Sequence, residues 1–397
     1  MFASRTNWRL EPNRLTLALE ERRRKGLEIF DLTESNPTRC GFDYESREIL
    51  AAIANPKALV YEPDPRGLPA AREAVAAHYA GHGAEVAQEQ IFLTTSTSEA
   101  YSFVFRLLAD AGDQILIPSP SYPLFDFLAR LNDVEIASYP LEYDAGWRVD
   151  LAALRERVGA RTRAILAVHP NNPTGSFVRE RELDAMVELC RERQLALVAD
   201  EVFADFAFVP DTGGHDAGPR VQTHAAEQRA LAFTLSGLSK ISALPQMKLA
   251  WIVASGPRDL LRDAVARLEV IADTYLSTSA PIAHAARALL ETRHMIQPQI
   301  LERVKGNLRR LDERLATGSA AGRLEAEGGW YAVLKLPATR SDEDWAVTFL
   351  SEDGVLAHPG HFYDFRSDGF LVLSLLPPAE VFARGIQRIL ERVRKEA

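Results

Sequence analysis

Short apolar runs punctuate the chain at residues 91–95, 114–117, 134–137, 164–168, 195–199, 230–233 and 250–254. Several show no alternation of polar and apolar positions. Leu195, Ala196, Leu197, Val198 and Ala199 follow one another without a polar break, as a strand covered on both faces requires. Between the runs the period becomes helical. Leu183, Met186, Val187 and Cys190 recur at a spacing close to one helical turn. Ser96 and Glu99 supply an N-cap and an acidic first turn for a helix that reaches Leu108. Strands alternating with helices predict an α/β fold: a seven-stranded, mostly parallel sheet in an αβα sandwich, within residues 46–294.

The pattern changes near residue 295. A long helix carries Ile300, Val304, Leu308 and Leu311, and residues 328–336 then alternate like a half-exposed strand. Residues 295–397, completed by 1–45, are read as a smaller α+β domain. The first segment holds an amphipathic helix from about Pro12 to Gly26, then a turn around Asn36 and Pro37. A second turn-rich stretch at 61–68 feeds a helix ending near Tyr79.

Charge narrows the function classes. A net charge of −9 argues against a general nucleic-acid surface, which needs clustered Lys and Arg. The basic run at 22–25 lies on the first helix and reads as a solvated face. Cys40 and Cys190 are too few for a disulfide framework in 397 residues, so a reducing, cytoplasmic setting fits. The N-terminus lacks the apolar core of a signal peptide, and no apolar run approaches the ~20 residues of a membrane span.

In a parallel sheet, ligands gather at the carboxyl ends of the strands. The polar residues there are therefore the candidates. Thr97 and Ser98 open a helix, whose free N–H groups make a phosphate seat. Tyr122 offers a flat ring after the second run, and His169 to Gly175 follow the fourth. Asp200 ends the fifth. A carboxylate there is costly unless a cation or several donors meet it, though capping the next helix would also use it. Lys240 follows the sixth run through Ser236, Gly237 and Ser239. A lysine beside a desolvated interior has a lowered pKa and a nucleophilic amine, whereas on a loop it is merely solvated. A lysine, a buried acid, a phosphate seat and an aromatic ring together match the needs of pyridoxal phosphate.

With these motifs in order, the chain resembles the fold-type-I pyridoxal-phosphate aminotransferases of class I/II, the aspartate and alanine aminotransferase kind. The likeness runs from about Leu32 to the C-terminus. It implies that Lys240 is the Schiff-base lysine and proton carrier, and that Asp200 pairs the pyridine nitrogen. It implies that Asn172, in Asn172-Pro173-Thr174-Gly175, bonds the ring's phenolic oxygen and that Tyr122 stacks on the ring. Thr97, Ser98 and Ser239 become phosphate contacts. Tyr61 becomes the tyrosine lent across a homodimer interface.

Three positions depart from the family pattern. Lys248 stands where an arginine usually clamps the phosphate, and an ammonium lacks the bidentate fork. Phe203 replaces a tyrosine whose hydroxyl would bond the phenolic oxygen, which should raise the pKa of the Schiff base. Val372 holds the place of the arginine that binds the substrate α-carboxylate. Arg366 is the first candidate to replace it, Arg39 the second and His361 the third, with Asn36 as a further substrate contact.

The expected activity is amino transfer between an amino acid and a 2-keto acid. A lyase that cleaves a C–S bond by β-elimination on the same scaffold is the alternative. A non-catalytic pyridoxal-phosphate sensor is a third reading, but the chain has no room for the DNA-binding module such regulators carry.

Overall fold

The computed structural model describes residues 1–8, 10–208, 211, 218–276 and 278–396. A short strand, β1 (Phe30–Asp31), comes first. The next eight strands build one sheet: β2 (Ile91–Thr94), β3 (Gln114–Ser119), β4 (Glu135–Tyr143), β5 (Trp147–Val149), β6 (Thr162–Val168), β7 (Ala196–Asp200), β8 (Ala232–Gly237) and β9 (Ala250–Ser255). Their order is β2-β9-β8-β7-β6-β3-β4-β5. The pairs from β8 through β7, β6 and β3 to β4 are parallel. β2, β9 and β5 run antiparallel to their neighbours.

The unbroken apolar runs follow from cover on both faces. Along β7, Ala196 and Val198 pack with the helices Thr97–Leu108 and Arg258–Tyr275, while Leu197 packs with Met186 and Cys190 of the helix Glu180–Arg193. Each face therefore sees every second residue, and both are dry.

Two expectations need correction here. The sheet has eight strands rather than seven, because β4 runs on to Tyr143 and folds back through β5. The hydroxyl residues before Lys240 do not end the sixth strand; Thr234, Leu235 and Ser236 pair with Val253, Ile252 and Trp251 of β9. Thr234 is laddered to both β7 and β9, and Ser236, laddered to β9, donates its hydroxyl to the Glu201 carbonyl at 3.4 Å. Gly237 closes this strand against Ala250. A Cβ at 237 would stand 2.7 Å from that of Ala250, so only glycine lets β8 and β9 approach there.

The remaining strands are β10 (Gly322–Arg323), β11 (Tyr331–Lys335), β12 (Val355–Leu356), β13 (His358–Pro359) and β14 (Phe370–Ser374). β10, β11, β14 and β13 form an antiparallel sheet, and β1 pairs with β12 in parallel. Residues 331–334 are all buried rather than alternately exposed. The helices Arg293–Leu315 and Ala379–Glu396 contribute Ile300, Val304, Ile386 and Val393 to the same core as Val333 and Leu373.

The two sheets meet where residues 326–329 cross the loop after β6. The N–H groups of Glu327 and Gly328 both donate to the Gly175 carbonyl, and Gly328 leaves no room for a Cβ beside Phe177. Glu327 Oε2 accepts from Arg179 at 2.6 Å and from Arg220 at 2.6 Å, all three side chains being under a tenth exposed. A buried carboxylate between two guanidiniums is satisfied only as a set. Glu327→Gln should therefore destabilise the fold by about 3–5 kcal/mol, read as a lower urea midpoint at fixed protein concentration.

Candidate active site

At the carboxyl ends of β6, β7 and β8 a cleft of about 140 Å³ opens. It is lined by Lys240, Asp200, Asn172, Tyr122, Thr97, Ser98 and Ser239, with Ser35, Tyr101, Phe203 and Tyr331. The large sheet brings most of these residues together because its strands end on the same edge, while Ser35 follows β1 and Tyr331 opens a strand of the second sheet.

Lys240 sits on the short helix Leu238–Ile241, directly after Gly237. Its Nζ lies 4.8 Å from the Trp330 ring centroid and 5.3 Å from that of Phe203. The side chain is half-buried by exposed area and shares its cleft with Asp200. Burial lowers the amine pKa to about 8, and the negative charge of Asp200 acts in the opposite direction.

Asp200 is buried at the last position of β7. Its Oδ2 accepts from the Tyr101 hydroxyl at 2.5 Å, and its Oδ1 from the Val202 N–H at 3.0 Å. Burial raises its pKa more than these two donors lower it. Glu201, the adjacent acid, turns away from the cleft. It accepts from the N–H and ring Nδ1 of buried His224 and from Thr223 Oγ1. Burial pushes the Glu201 pKa up, but the bonds from His224 outweigh it and leave it low.

Of two consecutive asparagines, only one faces the cleft. Asn171 is spent on its loop, donating to the Pro120 carbonyl at 3.0 Å and Thr174 Oγ1 at 2.9 Å. Asn172 lines the cleft, and its Oδ1 is buried without a partner. At the other end, Ser96 Oγ accepts from the Glu99 N–H and Glu99 accepts from the Thr95 N–H. That reciprocal cap fixes the helix start and leaves the first-turn N–H groups of Thr97 and Ser98 facing the cleft residues. Burial raises the Tyr122 phenol to about 12 and also raises those of Tyr101 and Tyr331, so all three stay neutral donors.

Several residues named from the resemblance, or as replacements for its missing arginine, lie elsewhere. Lys248, Arg366, Arg39 and His361 are exposed and do not line the cleft. Asn36 uses its side-chain oxygen to cap the turn Pro37–Arg39, accepting from Thr38 N–H and Oγ1. Tyr61 is 71% exposed and lines a separate groove with Thr278, Ser279 and His284. Val372 is buried in β14, opposite Val333 and His358. Tyr101, Ser35, Trp330 and Tyr331 were not foreseen. Tyr101 carried a usable signal, since it stands one helical turn after Thr97 on the same face.

The model of the family described as "Aminotransferase class I and II" matches residues 42–389. The chain is a class I and II aminotransferase. It depends on pyridoxal phosphate, as that family does. This aminotransferase is 28% identical over 360 residues to the glutamate-pyruvate aminotransferase AlaA of Escherichia coli strain K12, spanning 88% of this chain and 87% of that one. It is 27% identical over 380 residues to the alanine aminotransferase of Mycobacterium tuberculosis strain H37Rv, spanning 92% and 85%. A solved aminotransferase from Escherichia coli superposes with a TM-score of 0.85 at 25% identity, covering 99% of this chain and 98% of that one.

The cleft residues fit the cofactor. They offer an amine for its aldehyde, a buried carboxylate for a protonated ring nitrogen, an unpartnered amide and a helix N-terminus for the phosphate. In the cofactor-free aminotransferase the Lys240 amine should half-titrate near pH 8, reacting faster as pH rises through that value. Asp200→Asn removes the charge that holds the proton on, so the midpoint should fall further. Trinitrobenzenesulfonate labelling rates across pH, with peptide mapping of residue 240, measure both.

Proposed function

We propose that this enzyme exchanges an amino group between alanine or glutamate and the corresponding 2-keto acids, with Lys240 as its Schiff-base lysine. The observation that carries the reading is one cleft shared by a pKa-lowered amine, a buried carboxylate and a helix N-terminus. The names of the relatives, which refer to glutamate, pyruvate and alanine, favour those substrates.

Pyridoxal phosphate, when bound, supplies the electron sink that makes the substrate α-hydrogen acidic. Lys240 would hold it covalently and would take up and return the proton at the substrate α-carbon. An amine with a pKa of about 8 is suited to this, because it loses and regains a proton near neutral pH. Asp200 would hold the protonated ring nitrogen, and the Tyr101 hydroxyl fixes the carboxylate in place. Asn172 would hold the phenolic oxygen, Tyr122 the ring, and Thr97, Ser98 and Ser239 the phosphate. Tyr61 reaches the site of a second subunit in a homodimer, a role to which its exposure in the single chain is suited.

With Val372 apolar and buried, neutral donors take over the substrate carboxylate. Ser35 and Tyr331, which lie together at the cleft wall, are the groups we assign. The large domain comprises residues 46–294 and the small one 1–45 with 295–397, a division supported by the β1–β12 pairing. Two unpaired cysteines favour the cytoplasm, and no helix among the described residues is long and apolar enough to cross a membrane.

The holoenzyme should convert alanine and 2-oxoglutarate to pyruvate and glutamate in equal amounts. Lys240→Ala should lower that rate by about 10²–10⁴-fold or more. Pyruvate released from cystathionine without a keto-acid acceptor would instead establish the elimination reading. Full activity in Lys240→Ala would overturn the assignment of the lysine.

A further inference from the structure

A second group of ionisable side chains lies outside the cleft, on the far side of the loop that follows β7. The helix Pro69–Gly81 carries His78, and His82 is its C-cap. Their four-residue spacing sets both imidazoles on one side of the last turn. Asp205 comes from the loop after β7. None of the three lines the active-site cleft.

Their geometry is that of a chelate. One ligand atom from each of His78, His82 and Asp205 lies within 4.8 Å of the others. His82 Nδ1 is 2.9 Å from the His78 carbonyl oxygen, which makes that nitrogen the N–H donor and leaves Nε2 to face Asp205 Oδ1 at 2.9 Å. Asp205 Oδ2 accepts from the Gln297 amide at 2.7 Å, so the carboxylate is held from behind while Oδ1 points to the imidazoles. A ring nitrogen tied to a backbone carbonyl and a carboxylate held by an amide are the outer contacts that orient metal ligands. His78 is only 6% exposed, and its Nδ1 is buried with no hydrogen-bond partner. That orphaned nitrogen is costly unless something meets the imidazole. The His82 side chain is 37% exposed and gives an entry path from solvent.

We propose that His78, His82 and Asp205 bind a divalent transition-metal ion of the zinc class, with water completing a four-coordinate shell. Two imidazoles and one carboxylate suit Zn²⁺, and Co²⁺ as its probe, better than the all-oxygen shells of Ca²⁺ or Mg²⁺. The ligand atoms settle about 3.4 Å from one another, the edge of a tetrahedron with metal–ligand bonds of about 2.1 Å, so the His82–Asp205 pair opens from 2.9 Å while the wider separations close. The ion replaces the proton between His82 Nε2 and Asp205 Oδ1, and that proton leaves to solvent. Glu201 and Arg293 are the other charged groups close to His78.

The site is a brace rather than part of the amino-transfer chemistry. The Gln297 amide that holds Asp205 also donates to the Ile241 carbonyl at 2.9 Å, next to Lys240. An ion there would tie the helix Pro69–Gly81 to the loop after β7 and, through Gln297, to the helix that carries the lysine.

The test uses holoenzyme dialysed against a chelator and titrated with Co²⁺ alone, then with Zn²⁺ in competition. One Co²⁺ per chain with the intense visible bands of a tetrahedral site, displaced by Zn²⁺, is the expected result. His82→Ala and His78→Ala should each weaken binding by at least tenfold, and Gln297→Ala by about 10–100-fold. His82 is half-exposed, so its replacement keeps the test informative if the His78 variant fails to fold; retained transferase activity reports folding. No saturable binding, or Co²⁺ spectra and affinity unchanged in His82→Ala, would overturn the proposal.

Discussion

The Lys240 amine is held between two opposed influences: burial, which disfavours its charge, and a buried carboxylate that favours it. Burial wins. A drop from 10.5 to about 8 corresponds to roughly 3 kcal/mol of destabilised ammonium, before the screening that its partial exposure allows. A mobile loop could not keep a side chain in such a position, because the amine would swing to water. The sheet prevents this. β8 is paired with β7 up to Leu235 and with β9 up to Gly237, and the helix bearing the lysine starts at the next residue. Asp200 is held as tightly at the end of β7, by Tyr101 and by the backbone of Val202.

That arrangement explains which parts of the molecule could be read from the chain. Runs such as 195–199 are apolar because both faces of the sheet are covered, so the large sheet was visible from hydrophobicity alone. β5 was not, since three residues at a sheet edge leave no period to detect. The extension of β8 through Ser236 was masked by polar residues whose burial only the flanking strands make possible. Strand-end residues such as Asp200 and Asn172 were legible because topology sends them all to one edge. Tyr331 and Trp330 were not, because a different sheet delivers them. Arg366, Arg39 and Lys248 read as cations, which they are, but whether a cation faces a cleft or water is decided by tertiary packing.

The second sheet is fastened to the first by few but demanding contacts. Gly175 and Gly328 are in near contact, and the Gly175 carbonyl accepts two N–H donors across the joint. Glu327 adds a buried negative charge between two guanidiniums. Because Trp330 and Tyr331 follow within a few residues, the joint also sets where those rings stand relative to Lys240. The cleft wall is thus as exact as the seam between the sheets.

Trp330 has one more consequence. Its indole is wholly buried and stands within van der Waals range of the space around the reactive amine, while the other tryptophans belong to other parts of the core or to the surface. An indole so close to an absorbing group passes its excitation on instead of emitting it. The protein therefore carries its own optical gauge, and its intrinsic emission reports, without any label, whether a chromophore is attached to residue 240.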